Sequence, residues 1–248
     1  MEKINKLKKI LKKVDIDGYL ITKNDEFFGE YIQDNKDRLK YITNFTGSYG
    51  FALILTNANY LFVDGRYTLQ ARIESGKNFI IKDIPRQIPI KIKKRREIKI
   101  GFDPKLITYE ALRFIFKNNS FKFVPFKKNL VDQIWARKNY SSNKSFFWLS
   151  KKFTGQSNEQ KLSKVYKNLK KRRVDFQFIS ASENNAWLFN IRGKDSNYSP
   201  IPNSYSLVGM KKRIYFFCDA NKITSSIKKK YKNLRFIRIE DTEKILSK

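Results

Sequence analysis

A single arginine, Arg66, has the chemistry and the position of a binding residue. It lies in the segment VDGRY at residues 63–67, where a predicted strand ends and a predicted helix begins. A cation at the start of a helix opposes the helix macrodipole, so helix stability alone does not explain it. A guanidinium can donate two parallel hydrogen bonds to a carboxylate or bind a peptide oxygen. Asp64 either orients this side chain or caps the helix. Arg66 is therefore a clamp for a carboxylate or a peptide oxygen, or a solvated surface arginine bridged to Asp64.

The composition excludes several catalytic mechanisms. The chain has 248 residues and no histidine, which removes Ser-His-Asp and Cys-His nucleophiles and every metal site that uses imidazole. No local spacing of carboxylates indicates a metal site. The single cysteine, Cys218, lies in an apolar run, so we predict a buried thiol that packs as a small hydrophobe. Such cysteine usage fits a reducing compartment, and we predict a cytoplasmic protein.

The net charge of +30, from 53 Lys and Arg against 23 Asp and Glu, raises the question of a partner. The basic residues are spread along the whole chain, among many residues with A/T-rich codons, which favours coding bias as their origin. Nucleic acid, an anionic membrane or an acidic partner is the alternative. The densest basic cluster, Lys93 to Arg96, is a solvated loop or a phosphate contact. No apolar stretch is long enough to predict a membrane span.

Hydrophobic periodicity predicts two α/β domains. Each half of the chain runs helix, strand, helix, hairpin, helix, strand, which indicates a weak duplication. A polar segment at residues 139–145 is the predicted linker. It gives a first domain of residues 1–138 and a second of residues 139–248, which we expect to be incomplete at its C-terminus. We predict that Trp135 and Trp187 lie in the cores.

Five stretches together resemble the aminopeptidase P branch of the creatinase and prolidase superfamily. They are GEYI at 29–32, LKYITNFTGSYG at 39–50, VDGRY at 63–67, NLVDQIW at 129–135 and AWLFNIRGKD at 186–195. Their order and spacing extend the resemblance over nearly the whole chain. One departure is Tyr198, where the family often has histidine. Gly47 and Gly50, in the second stretch, predict unusual backbone angles or close approach to a neighbour.

The resemblance implies a fold and a set of site residues. It implies two creatinase N-terminal-like domains, each with a mixed sheet flanked by helices, without the pita-bread catalytic domain of long family members. That domain holds two divalent metals, which we expect to be manganese, so no cofactor is assigned to this chain. Arg66 then binds substrate, with Asp64 and Tyr67 as supporting residues. Arg192 and Asp195 are further supporting residues, and we expect them to form an ion pair.

The function implied by the resemblance is that of a noncatalytic N-terminal region of a Xaa-Pro aminopeptidase. Such an enzyme is a metallopeptidase that releases an N-terminal residue preceding proline, so its partners are peptides with proline at the second position. This region would shape the substrate cleft and support assembly, including a homodimer, with no peptidase activity of its own. The alternative is a catalytically dead peptidase-like module that binds peptides, an acidic partner or nucleic acid through its basic surface.

Overall fold

The two halves of the chain each form an α/β unit. The computed structural model describes residues 1–84, 97–117, 120–137, 144–211 and 213–247. Contacts divide the chain into Met1–Asn139 and Tyr140–Lys248. Each unit contains a mixed sheet with flanking helices, as the sequence predicted. The basic cluster Lys93 to Arg96 and most of the predicted linker lie outside the described residues.

The first unit is built on a six-stranded mixed sheet. Its strands are β1 Gly18–Thr22, β2 Gly50–Leu55, β3 Asn59–Val63, β4 Ile80–Asp83, β5 Ile98–Phe102 and β6 Phe121–Pro125. Its helices are α1 Glu2–Lys13, α2 Arg38–Thr43, α3 Thr68–Ser75 and α4 Tyr109–Ile115, with 3-10 turns at Gly65–Tyr67 and Gly76–Asn78. The strand order is β4-β3-β2-β1-β5-β6. Strand β2 is antiparallel to β1 and β3, and the other neighbours are parallel.

Apolar side chains cover both faces of this six-stranded sheet. On one face, α1 buries Ile4, Leu7 and Leu11, whose helical spacing forms a single stripe. On the opposite face, side chains from β1, β2, β3 and β5 pack around Leu112 and Phe116 at α4. The central strands β1, β2 and β5 are therefore buried on both sides, which explains their nearly continuous apolar runs, whereas the edge strands β4 and β6 are partly exposed.

The second unit has a four-stranded sheet and a small two-stranded one. Its strands are β7 Phe147–Trp148, β8 Phe176–Ile179, β9 Ile191–Arg192, β10 Tyr205–Gly209, β11 Ile214–Cys218 and β12 Leu234–Arg238. Its helices are α5 Lys151–Thr154, α6 Asn158–Arg172, α7 Ser182–Phe189, α8 Ser225–Lys230 and α9 Thr242–Leu246, with 3-10 turns at Ala220–Lys222 and Ile239–Asp241. Ser157 and Gln160 form a capping box that starts α6. The main sheet has the order β12-β11-β10-β8, and β7 pairs with β9.

The predicted duplication is visible in the topology. The elements α1, β1, α2, β2, β3, α3 and β4 of the first unit correspond in order to α6, β8, α7, β10, β11, α8 and β12 of the second. The strand neighbours also correspond, with two antiparallel pairs followed by one parallel pair. The first unit continues with β5, α4 and β6, which have no counterpart in the described part of the second unit.

Candidate functional site

Arg66 lies at the end of β3, in the 3-10 turn Gly65–Tyr67. Its Nε donates to Asp64 Oδ1 at 2.9 Å, and its backbone N–H donates to the same oxygen at 3.0 Å. Asp64 therefore caps the turn and also holds the guanidinium. The side chain of Arg66 is 73% exposed. The hydrogen bonds from Arg66 lower the pKa of the Asp64 carboxyl, and the same pair raises the pKa of Arg66.

The loop of the second stretch is fastened to the Arg66 turn and to α3. Tyr67 Oη lies 2.8 Å from Ser48 Oγ. The carboxylate of Glu74 accepts from the backbone N–H of Thr46 at 2.7 Å and from its hydroxyl at 2.6 Å. Gln70 Nε2 donates to the same hydroxyl at 2.8 Å. Burial disfavours the charge of Glu74, but the hydrogen bonds from Thr46 and Gln70 outweigh it and lower its pKa. The structure thus joins the second and third stretches.

The two glycines of this loop are explained by close approach. A Cβ on Gly47 would lie 2.2 Å from the ring carbon Cζ of Phe45, and one on Gly50 would lie 2.8 Å from the carbonyl oxygen of Phe62. Neither glycine has a positive φ. Of the two alternatives that the sequence left open, close packing is therefore confirmed and unusual backbone angles are not.

A partly buried ion cluster connects residues on either side of the first stretch to Asp132 of the fourth, NLVDQIW. Arg38 Nε and Nη2 donate to the two carboxylate oxygens of Asp132 at 2.8 and 2.9 Å, and Nη2 also donates to Glu26 at 3.1 Å. Lys36 donates to Glu26 at 3.0 Å. Burial disfavours the charge of Glu26, but Lys36 and Arg38 lower its pKa to about 2. The cluster fixes the loop before α2, on which Tyr31 is exposed.

The supporting residues Arg192 and Asp195 do not form the predicted ion pair. Arg192 donates to the backbone carbonyl oxygens of Ala186 and Ile191, at the end of α7. Asp195 pairs with Lys222 at 2.5 Å instead. The reason is geometric: the end of α7 presents unpaired carbonyl groups to Arg192, while the turn Ala220–Lys222 directs a cation to Asp195. Both residues lie in the second unit, whereas Asp64, Arg66 and Tyr67 lie in the first.

A buried lysine at the fifth stretch was not predicted. Lys161 Nζ donates to Trp187 O at 2.7 Å and to Asn190 Oδ1 at 2.6 Å, and it lies 4.5 Å from the Trp187 ring centroid. Burial and the charge of Arg192 lower its pKa. The spacing of α6 could have indicated this burial, because Lys161 lies four and eight residues before Val165 and Leu169, on the same side of the helix. Trp187 itself is 53% exposed, so its predicted core position is wrong.

No cluster of three or more acidic or cysteine side chains with the geometry of a metal site occurs among the described residues. A cavity of about 330 Å³ lies in the second unit, lined by residues that include Asn158, Tyr166 and Lys230. None of its lining residues belongs to the five stretches. Within the described ranges, no helix is long and apolar enough to cross a membrane.

The duplicated α/β unit, with a mixed sheet flanked by helices in each copy, agrees with what comparisons with known proteins find. Residues 3–134 match the Creatinase/Prolidase N-terminal domain model, and residues 136–248 match a second model of the same description. The chain belongs to this family.

The curated relatives are aminopeptidases. The chain is 33% identical over 212 residues to a probable Xaa-Pro aminopeptidase P of Coprinopsis cinerea, covering 82% of this chain and 34% of that protein. It is 31% identical over 246 residues to Xaa-Pro aminopeptidase 1 of Dictyostelium discoideum, covering 92% of this chain and 39% of that protein. The chain thus spans between a third and two fifths of the length of these relatives.

A solved structure is similar to the whole chain. It is the X-prolyl aminopeptidase of Caenorhabditis elegans, described as a cytosolic enzyme with a di-nuclear active site. The TM-score is 0.89 and the sequence identity is 26%, over 99% of this chain and 43% of that one. This likeness agrees with the fold of two creatinase N-terminal domains.

Proposed function

We propose that the chain is the N-terminal, noncatalytic region of a Xaa-Pro aminopeptidase. In this role it shapes the substrate cleft, supports assembly as a homodimer and acts in the cytoplasm. Hydrolysis of peptides with proline at the second position requires two divalent metals, which we expect to be manganese, held by residues outside this chain. No described residue fits such a metal pair, because the chain has no histidine and no described acidic cluster.

One observation carries the part assigned to Arg66. Its guanidinium is exposed, and Asp64, which also caps the turn, orients it through a hydrogen bond to Nε. An oriented guanidinium loses less entropy when it binds a carboxylate or a peptide oxygen. Tyr67, tied to Ser48, supports the same surface. Arg66 thus has the geometry of a preorganised substrate contact.

The first experiment tests the absence of catalysis. The purified 248-residue chain is incubated with Mn²⁺ and an Xaa-Pro tripeptide, and release of the N-terminal residue is followed by chromatography. The full-length Dictyostelium relative serves as the positive control. We expect no release above the rate without protein. Mn²⁺-dependent cleavage that co-purifies with the chain would show that it is catalytic by itself.

The second experiment tests Arg66 in an active enzyme. The chain replaces the matching N-terminal region of the Dictyostelium relative, and kcat/KM is measured for Arg66→Ala, Arg66→Lys and Arg72→Ala. A charged hydrogen bond contributes about 1.5–3 kcal/mol, so Arg66→Ala should lower kcat/KM by roughly 10- to 100-fold. Arg66→Lys should retain only part of the wild-type kcat/KM, because the lysine ammonium lacks the planar, two-donor geometry of a guanidinium. Arg72 is exposed on α3, so its loss controls for charge. Equal effects of Arg66→Ala and Arg72→Ala on kcat/KM would show that Arg66 does not contact the substrate.

A further inference from the structure

One cavity of the second unit combines an apolar floor with a charged rim. It has a volume of about 330 Å³ and lies between the first half of α6 and the connection from α8 to β12. Four buried side chains of the hydrophobic core form its floor: Leu162, Ile214, Tyr231 and Leu234. Every lining residue lies on α6, on β11 or on the stretch from α8 to β12, all of which the structure describes. The cavity is therefore built by this unit alone.

The rim of this cavity carries opposite charges on its two sides. Glu159 lies on the α6 side, whereas Lys230 and Lys232 lie on the side of the α8–β12 connection. All three residues are exposed. Within the described ranges, neither lysine forms an ion pair with Glu159 or with another carboxylate. An anion and two cations thus border the same space without neutralising one another by direct contact.

The carboxylate of Glu159 is oriented by its neighbours at the start of α6. With its amide nitrogen facing the carboxylate, the buried Asn158 donates to Glu159 Oε1 at 2.7 Å and to Oε2 at 2.8 Å. Burial disfavours the charge of Glu159, but the side chain of Ser157, the backbone N–H of Glu159 and the charge of Lys230 outweigh it and lower its pKa. A carboxylate has about four acceptor sites, so Glu159 can accept further hydrogen bonds from the cavity.

The first helix of the other unit shows how an acidic side chain in this place can be neutralised. Glu2, in the first turn of α1, pairs at 2.6 Å with Lys6, four residues later on the same helix. The residues three and four positions after Glu159 are Leu162 and Ser163, neither of which is basic. The acidic group of α6 is therefore not neutralised by its own helix in this way, and its charge remains available at the rim of the cavity.

The volume and the charges together define a class of ligand. Liquid water takes about 30 Å³ per molecule, so about 330 Å³ holds roughly eleven waters, or a ligand with on the order of ten non-hydrogen atoms. A single amino acid has this size. A free amino acid also carries an ammonium and a carboxylate on the carbon that bears its side chain. It therefore matches a small cavity with an anion on one side, cations on the other and an apolar floor.

We propose that this cavity binds a free α-amino acid with an apolar side chain, such as leucine. The ammonium group of the ligand donates to Glu159, and its carboxylate accepts from Lys230 or Lys232. Its side chain packs on the apolar floor. The site lies in the second unit and does not involve Arg66. Binding is tested on the chain itself and requires no catalysis, so it stands or falls independently of the proposed function.

Analogues of leucine test which of its groups are recognised. The full chain is labelled with ¹³C in the methyl groups of Ile and Leu, and NMR shifts are followed during titration at neutral pH. We expect leucine to shift the methyl signals of Leu162, Ile214 and Leu234 with a Kd of about 1 mM. N-acetyl-leucine lacks the ammonium, leucine amide lacks the carboxylate and glycine lacks the side chain. Each of the three should bind at least about tenfold more weakly than leucine.

A matched pair of variants tests the anionic side of the rim. Glu159→Gln should weaken leucine at least about tenfold and should not weaken N-acetyl-leucine, which has no ammonium to lose a partner. The control is Glu183→Gln, because Glu183 is the exposed second residue of α7, as Glu159 is of α6, and it does not line the cavity. This control should leave the Kd of leucine within about twofold of the wild-type value.

A second pair of variants tests the cationic side. Lys230→Met with Lys232→Met should weaken leucine at least about tenfold. The control, Lys167→Met with Lys228→Met, removes two exposed lysines outside the lining and should leave the Kd within about twofold. Ser163→Trp places a ring at the exposed rim and should block leucine without disturbing the core. The methyl spectrum of each free variant reports whether its fold is retained.

Several results would overturn the proposal. Shifts that rise linearly with leucine up to about 50 mM would show that the cavity has no specific affinity for it. N-acetyl-leucine binding as tightly as leucine would make the cavity a site for apolar anions instead. Equal effects of a rim variant and its control on the Kd would reduce binding to general surface charge. Saturable shifts confined to methyl groups away from the floor would place the ligand elsewhere.

Discussion

The ion pair between Lys222 and Asp195 offers the sharpest test of how the second unit is held together. The two side chains are 10% and 1% exposed, and Lys222 Nζ lies 2.5 Å from Asp195 Oδ1. Asp195 also accepts a hydrogen bond from the backbone N–H of Asn203 at 2.8 Å. The pair thereby joins the loop after β9 to the 3-10 turn after β11. Asp195→Asn is the chosen change, because asparagine preserves the shape and can still accept from Asn203.

The expected cost follows from the burial of the pair. Asp195→Asn leaves the ammonium of Lys222 buried without its counter-charge, and removal of one partner of a buried pair costs about 3–5 kcal/mol. A domain of roughly 100 residues loses about 4–8 °C of Tm for each kcal/mol, so the second unit should melt at least about 12 °C lower. The double change Asp195→Leu with Lys222→Met should recover a large part of the loss, since no charge then remains buried.

Urea unfolding followed by tryptophan fluorescence measures this effect. Trp148 and Trp187 lie in the second unit and Trp135 in the first, so single-tryptophan backgrounds assign the transition to a unit. The control is Asp241→Asn, which breaks the exposed pair with Arg238 and should cost about 0–1 kcal/mol. If Asp195→Asn costs no more than Asp241→Asn, the buried pair does not hold the loop and the reasoning is wrong.

Two further predictions concern titratable groups. Burial raises the pKa of the Cys218 thiol to about 12, so iodoacetamide at pH 8 should label it only in denaturant; rapid labelling of the native chain would contradict this. The pKa of Glu26 is lowered from 4.5 to about 2, so its stabilising contribution is complete above pH 4.5 and is lost as the pH falls toward 2. The loss should be about 2–3 kcal/mol. Asp25, whose pKa is raised by burial, offsets part of it. In urea titrations at pH 2 to 6, Glu26→Gln should flatten this acid dependence, and an unchanged slope would show that Glu26 does not cause it.

Most of the fold could be predicted because its signals are local. The apolar stripe of α1 and the capping residue before α6 are encoded within a few residues, so both helices follow from short segments of the sequence. The strands β7 and β9 were not predicted. Each has only two residues, and each exists because the other, more than 40 residues away in the chain, pairs with it. Hydrophobic periodicity within one segment carries no information about strand pairing with a distant segment.

The candidate site shows the same division between local and distant contacts. Asp64 and Arg66 are two residues apart, and their pairing could be inferred from the sequence. Asp195 and Lys222 are 27 residues apart, and the nearer cation, Arg192, was wrongly chosen as the partner. An opposite charge close by in the sequence is not always the ion-pair partner. The carbonyl groups at the end of α7 compete with Asp195 for the guanidinium of Arg192.

The duplication gives a reason to assign a function to Arg66. The counterpart of its turn is Ala220–Lys222, after β11, where Asp219 accepts from the backbone N–H of Asn221 at 3.0 Å, as Asp64 does from that of Arg66. The capped turn is therefore a feature of the fold in both units. The position and direction of the cation differ between the units. In the second unit the cation is Lys222, which lies one position later in the turn and points inward to Asp195. The fold needs the aspartate and the turn, but it does not need an outward guanidinium. Arg66 points outward and is hydrogen-bonded to the aspartate that caps its turn, whereas Lys222 points inward. This difference is expected if Arg66 serves to bind a ligand and not to stabilise the fold.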